Sequence, residues 1–193
     1  MEEKLAFTEG AEQPIAMNPK KFALWLFIVS VVMIFAALTS AFIVRQAEGN
    51  WLDYELPQIL WITSGIILVS SFTMHWAYTA ARKDQLQQLK LALVVTSIFG
   101  LAFLVGQWYS WVALVDRDVY FVGNPAGSFL YVLTGLHAVH LISGVIFLII
   151  VLISSFRYKI HSKRMNTMEM CVTYWHFLGG LWLYLFMFLL LNH

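Results

Sequence analysis

The sequence predicts an all-α integral membrane protein: a bundle of five transmembrane helices with the N-terminus inside and the C-terminus outside. The first observation is composition. The 193 residues are 60% hydrophobic and 12% charged, with a mean hydropathy of +0.73, whereas a soluble domain has about 25% charged residues. The second is five uncharged segments, each long enough to cross a bilayer, which takes about 20 apolar residues. The third is an unequal distribution of Lys and Arg between the connections.

The predicted elements follow in chain order. Residues 1–21 are polar, with mixed charges and two prolines, and we expect a cytoplasmic tail with little fixed structure. Asn18 and Pro19 fit a helix start, with Asn as the cap and Pro at the first position. Residues 22–193 are predicted to form a single transmembrane domain. Its spans are expected at about residues 22–44, 57–81, 91–115, 126–156 and 170–192.

The membrane orientation follows from the positive charges. Connections on the side of the N-terminus carry ten Lys and Arg: Lys4, Lys20, Lys21, Arg82, Lys83, Lys90, Arg157, Lys159, Lys163 and Arg164. Connections on the other side carry Arg45 and Arg117. Since cytoplasmic loops are enriched in Lys and Arg, we expect the N-terminus in the cytoplasm. Trp51, Trp61 and Trp111 are then expected near the outer interface, as in an aromatic belt.

The composition argues against nucleic-acid binding and against sites that need several cysteines. A net charge of +1 without a basic stripe does not provide the phosphate contacts that nucleic-acid binding requires. The single cysteine, Cys171, excludes an internal disulfide and a cysteine metal cluster.

Two polar seams mark the fourth and fifth spans. Residues three and four apart share a helix face, so we expect the members of each seam to point one way. The first consists of Thr134, His137, His140 and Gly144, and the second consists of Glu169, Thr173, His176 and Gly180. Polar groups at membrane depth normally face protein. We therefore expect the two seams to meet or to line one cleft.

Three interpretations of the intramembrane histidines are open. His75, His137, His140 and His176 could include the two axial ligands of a b-type haem. Their predicted depths differ, with His176 about 8 Å from the height of His140, which disfavours a shared iron. The spans lack interior Asp and Glu, which disfavours a carboxylate metal site and a proton-relay transporter. The histidines could instead bond between helices or contact lipid, contributing about 0.6 to 2 kcal/mol each.

The run from Ser128 to Gly144 resembles the signature of subunit III of haem–copper terminal oxidases, T-G-x-H-x-x-H-x-x-x-G. Here the pattern is Thr134, Gly135, His137, His140 and Gly144. A second block is similar to the family's E-x(4)-Y-W-H-F. It consists of Glu169, Tyr174, Trp175, His176 and Phe177. Weaker matches lie at the first span, at Leu56-Pro57 with Ser70, Ser71 and Thr73, and at Gln107, so the resemblance covers about residues 20–192.

The resemblance has implications for cofactors and partners. It implies a five-span form of a non-redox subunit of a cytochrome c oxidase, or alternatively of a quinol oxidase, in a bacterial-type plasma membrane. Haems and copper would lie in subunits I and II, and this chain would stabilise subunit I and bind phospholipid. No catalytic, cofactor or metal residue is expected in it. The residues expected at the lipid cleft or the subunit I contact are Thr134, His137, His140, Glu169 and His176.

Three positions depart from the family pattern. The family commonly has carboxylates where this chain has Val31, Ser110 and Gly179. Roles in proton uptake that rest on those carboxylates are therefore not transferred to this chain.

Overall fold

The computed structural model describes residues 18–156 and 165–192, and nearly all of them lie in five helices. The helices are α1 (Pro19–Ala47), α2 (Ile59–Arg82), α3 (Leu86–Val115), α4 (Pro125–Phe156) and α5 (Asn166–Leu191). These described ranges contain no strand. All five helices are long and apolar enough to cross a membrane. The predicted all-helical, five-span bundle is confirmed.

Three helices, α1, α3 and α5, begin three to five residues before their predicted spans, whereas α2 begins two residues after its predicted start. α1 begins at Pro19 and α5 at Asn166, because a helix continues into the interface where charged side chains remain solvated. The Asn18 cap is confirmed, since its side chain accepts a hydrogen bond from the Lys20 N–H at 3.1 Å. Most of the predicted tail (1–17), the connection 157–164 and His193 lie outside the described residues.

Four helices form a closed ring, and α1 packs on the outside of it. α2 packs on α3, α3 on α4, α4 on α5, and α5 on α2. α1 packs on α4 and α5, and in the described ranges its backbone does not approach α2 or α3. The outer strip of α5 therefore lies between α1 and α2.

Contacts at the two ends show which connections lie together. At one end, Gln46 donates to the Asn192 carbonyl at 3.2 Å, and Asn124 donates to the Asn50 carbonyl at 3.2 Å. At the other end, Lys21 pairs with Glu169. Trp51, Trp61 and Trp111 lie at the Asn124 end, as the belt prediction requires, and the side of the membrane that this end faces stays a prediction.

Side-chain hydrogen bonds connect every neighbouring pair of helices in the ring, α2–α3, α3–α4, α4–α5 and α5–α2. On α5, Trp175 and Trp182 donate to Ser70 and Ser64 of α2, each at 3.0 Å. The remaining side-chain pairs are Thr73 with Thr96 (2.9 Å), Trp111 with Thr134 (3.1 Å), Ser143 with Tyr174 (2.7 Å) and Thr39 with Tyr184 (3.0 Å). Such bonds stabilise helix association in the membrane. Apolar side chains contribute less there, because they contact lipid tails almost as favourably as they contact another helix.

Small residues allow the helices to approach closely enough for these bonds. At Gly100 of α3, an added Cβ would lie 2.7 Å from the Trp175 ring and 3.2 Å from Val145. The indole cannot move away freely, because its N–H is bonded to Ser70. Gly100 is thus required by the contact between α3, α4 and α5.

We predict that Gly100→Ala lowers the stability of the bundle. The new methyl group overpacks a rigid contact, at a cost of about 1 to 3 kcal/mol. The measurement is the thermal unfolding midpoint of the purified chain in mild detergent.

The matched control is Gly65→Ala on α2, where an added Cβ meets nothing within 4 Å. This control is expected to keep or raise the midpoint, because alanine favours the helix by about 1 kcal/mol over glycine. Equal midpoints for the two variants would contradict the close-approach interpretation.

Candidate lipid and subunit interface

The inner part of the α4 seam is buried inside the bundle. Thr134 is 2% exposed and accepts a hydrogen bond from Trp111 of α3. His137 is 0% exposed. Its ring lies between Phe103 of α3, at 6.1 Å between centroids, and Trp182 of α5, at 5.2 Å.

His140 lies on a different side of α4. Its ring contacts Phe27 and Phe35 of α1, with centroids 6.2 and 5.8 Å apart. Its Nδ1 lies 2.8 Å from the Leu136 carbonyl oxygen of its own helix. The side chain is partly exposed, so α1 covers it incompletely.

The expectation that the α4 seam presents one face is therefore wrong. Positions three apart on a helix differ by about 60° in direction. α4 has neighbours on three sides, so this difference is enough to direct His140 toward α1, while Thr134 faces α3 and His137 lies between α3 and α5. Gly144 in turn faces α5, where an added Cβ would lie 2.6 Å from Leu178.

The α5 seam keeps its predicted common face, and that face is on the surface of the chain. Glu169, Thr173 and His176 are partly exposed and Gly180 is exposed. We call these four residues, with the α1 and α2 side chains beside them, the α5 cleft. Because the α4 seam is largely internal and the α5 seam is not, the expectation that the two seams meet is also wrong.

The two sides of the α5 cleft differ in chemistry. On the α1 side, Glu169 pairs with Lys21, and each side chain is about one-third exposed (35% and 37%). On the α2 side, the ring of His176 lies 6.5 Å from the ring of His75. His75 is exposed and His176 is partly exposed. An ion pair thus lies beside α1 and two imidazoles lie beside α2.

Two cavities follow the α1 side of the cleft. The larger, of about 460 Å³, is almost entirely apolar and is lined by Val32, Phe35, Ala36, Phe177, Gly180, Leu181 and Tyr184. A smaller one, of about 160 Å³, is lined by Lys21, Leu24, Trp25, Glu169, Met170 and Thr173. The groove therefore has an apolar section at membrane depth and a charged end at the interface.

The histidine geometry does not provide a haem pocket between α2 and α5. His75 and His176 are neighbours, with ring centroids 6.5 Å apart, so this pair is the one to consider as axial ligands. One turn along α5, however, an added Cβ on Gly179 would lie 3.2 Å from Ser71 Oγ of α2. Helices this close leave no space for a macrocycle. Within 18–156 and 165–192, no group of three or more His, Cys, Asp or Glu is placed to hold a metal ion.

The three positions that depart from the family pattern are packing positions here. Val31 is 1% exposed and lies in the apolar core. Ser110 is buried and donates to the Gly106 carbonyl at 2.9 Å. A carboxylate at Gly179 would displace Ser71 or the helix that carries it. The residues packed around Val31, Ser110 and Gly179 leave space only for small or apolar side chains.

Sequence reasoning missed the partners of the buried groups. Trp111 was assigned to the aromatic belt, yet its N–H is directed inward to Thr134. The Trp182–Ser64 bond joins residues 118 positions apart, and no local pattern indicates it. Gln107 was noted as a family match alone, but it is 2% exposed and its Oε1 is buried. The sequence did contain a signal for this residue, because an amide side chain within an otherwise apolar span indicates a buried polar group.

Comparisons with known proteins agree with this architecture. The family model described as cytochrome c oxidase subunit III matches residues 52–192. A probable cytochrome c oxidase subunit 3 of Nocardia farcinica is 29% identical over 167 residues, covering 83% of this chain and 82% of the relative. Cytochrome c oxidase subunit 3 of Mus musculus is 25% identical over 192 residues, covering 92% of this chain and 71% of the relative. With five membrane-spanning helices and a family match over most of its length, the chain belongs to the cytochrome c oxidase subunit III family.

Proposed function

We propose that this chain is the non-redox subunit III of a respiratory haem–copper oxidase that takes electrons from cytochrome c. In this proposal it stabilises subunit I and binds phospholipid, while the haems and copper lie in subunits I and II. The observation that carries the proposal is the α5 cleft, a partly exposed polar strip at membrane depth with an apolar groove beside it.

The α1 side of the cleft fits a phospholipid. The apolar section can take an acyl chain, because its lining offers aliphatic and aromatic surface and Gly180 leaves it open. The charged end offers the Lys21 ammonium, the Thr173 hydroxyl and the Trp25 indole. A lysine near a helix end places its charge at the interface, and tryptophan is enriched at head-group depth.

The α2 side of the cleft fits a protein neighbour. His75 and His176 are ionisable groups at membrane depth, and such groups usually face protein and not lipid. On this chain His75 is exposed and His176 is partly exposed, so another subunit would cover them in the complex. We assign this strip to the contact with subunit I. We assign His140 to it as well, although His140 lies apart from the strip, where α1 covers it only partly. Thr134 and His137 are buried inside the bundle, so in this proposal they pack α4 on α3 and α5 and do not touch the partner directly.

The proposed orientation places the Lys21 end of the bundle in the cytoplasm. The N-terminal tail and the connections after the second and fourth spans hold ten of the twelve Lys and Arg residues in the sequence, which is the distribution of cytoplasmic connections. We propose a plasma membrane of the bacterial type, since similar chains occur in Nocardia farcinica and Corynebacterium diphtheriae. Both relatives are named as cytochrome c oxidase subunits, which supports cytochrome c as the donor, and quinol is the alternative donor.

Purification of the tagged chain from its native membrane in mild detergent tests the assignment. We expect haem–copper subunits I and II in the eluate by mass spectrometry, an oxidase visible spectrum, and oxygen consumption with reduced cytochrome c. Oxygen consumption with a quinol but not with reduced cytochrome c would show that quinol is the electron donor. A chain that elutes alone would contradict the subunit assignment, and a Soret band in that sample would indicate a stand-alone b-type cytochrome.

We predict that His140→Leu and His176→Leu shorten the active lifetime of the oxidase during turnover and increase loss of this subunit in detergent. Each removes a polar contact worth about 0.6 to 2 kcal/mol in a membrane. Haem content per subunit I is expected to stay unchanged, because neither residue holds a redox centre. Activity over time, subunit ratio and haem spectra are the measurements.

The control for these variants is Ser154→Ala on α4. Its exposed hydroxyl donates to the Ile150 carbonyl of its own helix, so its removal should alter neither lifetime nor subunit ratio. Sustained turnover and full assembly in both histidine variants would contradict the proposed contact.

We predict that Gly180→Phe lowers the amount of phospholipid that copurifies with the oxidase. The new ring would occupy the cavity of about 460 Å³ that Gly180 lines, where an added Cβ meets no atom within 4 Å. Lipid mass spectrometry of the purified complex measures the lost species. Gly65→Phe, at a glycine that is equally open on α2, is the control, and equal lipid content in the two variants would exclude this groove as a lipid site.

A further inference from the structure

Three buried polar atoms lie near the junction of α3, α4 and α5. Both ring nitrogens of His137 and the side-chain oxygen Oε1 of Gln107 have no hydrogen-bond partner in the described part of the chain. His137 is 0% exposed and Gln107 is 2% exposed. Buried polar groups are nearly always hydrogen-bonded, so each exception requires an explanation.

Contacts on either side place Gln107 at the level of His137. One turn before Gln107, Phe103 contacts the His137 ring. One turn after Gln107, Trp111 donates to Thr134, which lies three residues before His137. Since α3 and α4 run antiparallel, Gln107 lies between these two contacts on the face of α3 that meets α4. The unpartnered atoms therefore belong to one buried region.

The side chains of residues 18–156 and 165–192 leave part of this region unsatisfied. A neutral imidazole has one donor and one acceptor, so a direct bond to Gln107 Oε1 would satisfy the donor nitrogen and leave the acceptor. A residue of another subunit cannot reach a ring that is 0% exposed. The described ranges also hold no group of three or more metal-ligating side chains.

Water has the required chemistry. One molecule can accept from the His137 N–H and donate to Gln107 Oε1, and a second can donate to the other ring nitrogen. Internal water usually makes about three hydrogen bonds to otherwise unsatisfied polar groups. The rings of Phe103 and Trp182, 4.9 Å apart between centroids, form an apolar wall beside the site that would slow exchange with the outside.

We propose that His137 and Gln107 form an internal water-binding site in the middle of the membrane-spanning bundle. The site holds one or two water molecules and joins α3 to α4 one turn from the Trp111–Thr134 bond. It is separate from the α5 cleft, which is on the surface. Its role is to satisfy the buried imidazole and amide, so that α3 and α4 are connected where no direct side-chain bond exists.

A high-resolution cryo-electron microscopy map of the intact oxidase tests the site directly. We expect ordered density at about 2.7 to 3.2 Å from a His137 ring nitrogen and from Gln107 Oε1. A well-defined map without such density, or one in which His137 bonds directly to protein atoms through both nitrogens, would overturn the proposal.

A double-mutant cycle gives a second readout. His137→Leu and Gln107→Leu are each expected to lower the thermal midpoint of the complex-bound chain by several degrees, because each leaves the water with half of its partners. The double variant should lose clearly less than the sum, since interacting positions are not additive. Additive shifts would overturn the coupling, and if either variant fails to assemble, the map of the unaltered oxidase decides.

The control cycle combines His137→Leu with Ser155→Ala. Ser155 is also on α4, is 0% exposed and has a buried unpartnered hydroxyl oxygen. It lies about 27 Å from His137 along the helix, so the two shifts should add. Coupling of similar size in the control cycle would show a general response of the bundle and would contradict a local water site.

Discussion

The hydrogen bonds from the two α5 indoles to the α2 serines are the interactions on which the rest of the bundle depends. Trp175 and Trp182 are buried and donate to Ser70 and Ser64. In lipid, an indole N–H without an acceptor is costly, and polar contacts with close packing determine which helices associate. Two such bonds about two turns apart set both the register of α5 on α2 and the rotation of α5 about its axis.

That rotation decides which α5 residues are internal and which are available to partners. With the indoles facing inward, the strip from Glu169 to Gly180 faces outward between α1 and α2. The position of α1 outside the ring then supplies one wall of the cleft, with Lys21 at its charged end. In the proposed function, the same hydrogen bonds that assemble the ring thus present one side to lipid and one to subunit I.

The fold was more predictable than the site. Length and hydropathy identify each helix, because a spanning helix satisfies its own backbone and needs no partner to be recognised. The Asn18 cap was predictable for the same reason, since the donor to its side chain, the Lys20 N–H, is only two residues away. The direction of the His140 side chain was not predictable. It differs from that of His137 by about 60°, and the consequence of this difference can be judged only when the positions of α1, α3 and α5 are known. The pairing of His75 with His176 likewise required the packing of α2 against α5.

The number of spans, the polar residues within them and the family resemblance of the two histidine blocks can be read without any knowledge of the packing. These are local properties, set by side-chain polarity and by spacing along one helix. Three features depend on how the helices pack: His137 is buried without a hydrogen-bond partner among the described residues, His176 is on the surface, and Gln107 lies beside α4. Burial depends on which helices surround a residue. In a membrane that choice rests on small-residue contacts and on hydrogen bonds between residues far apart in the chain, which leave no periodic pattern in the sequence.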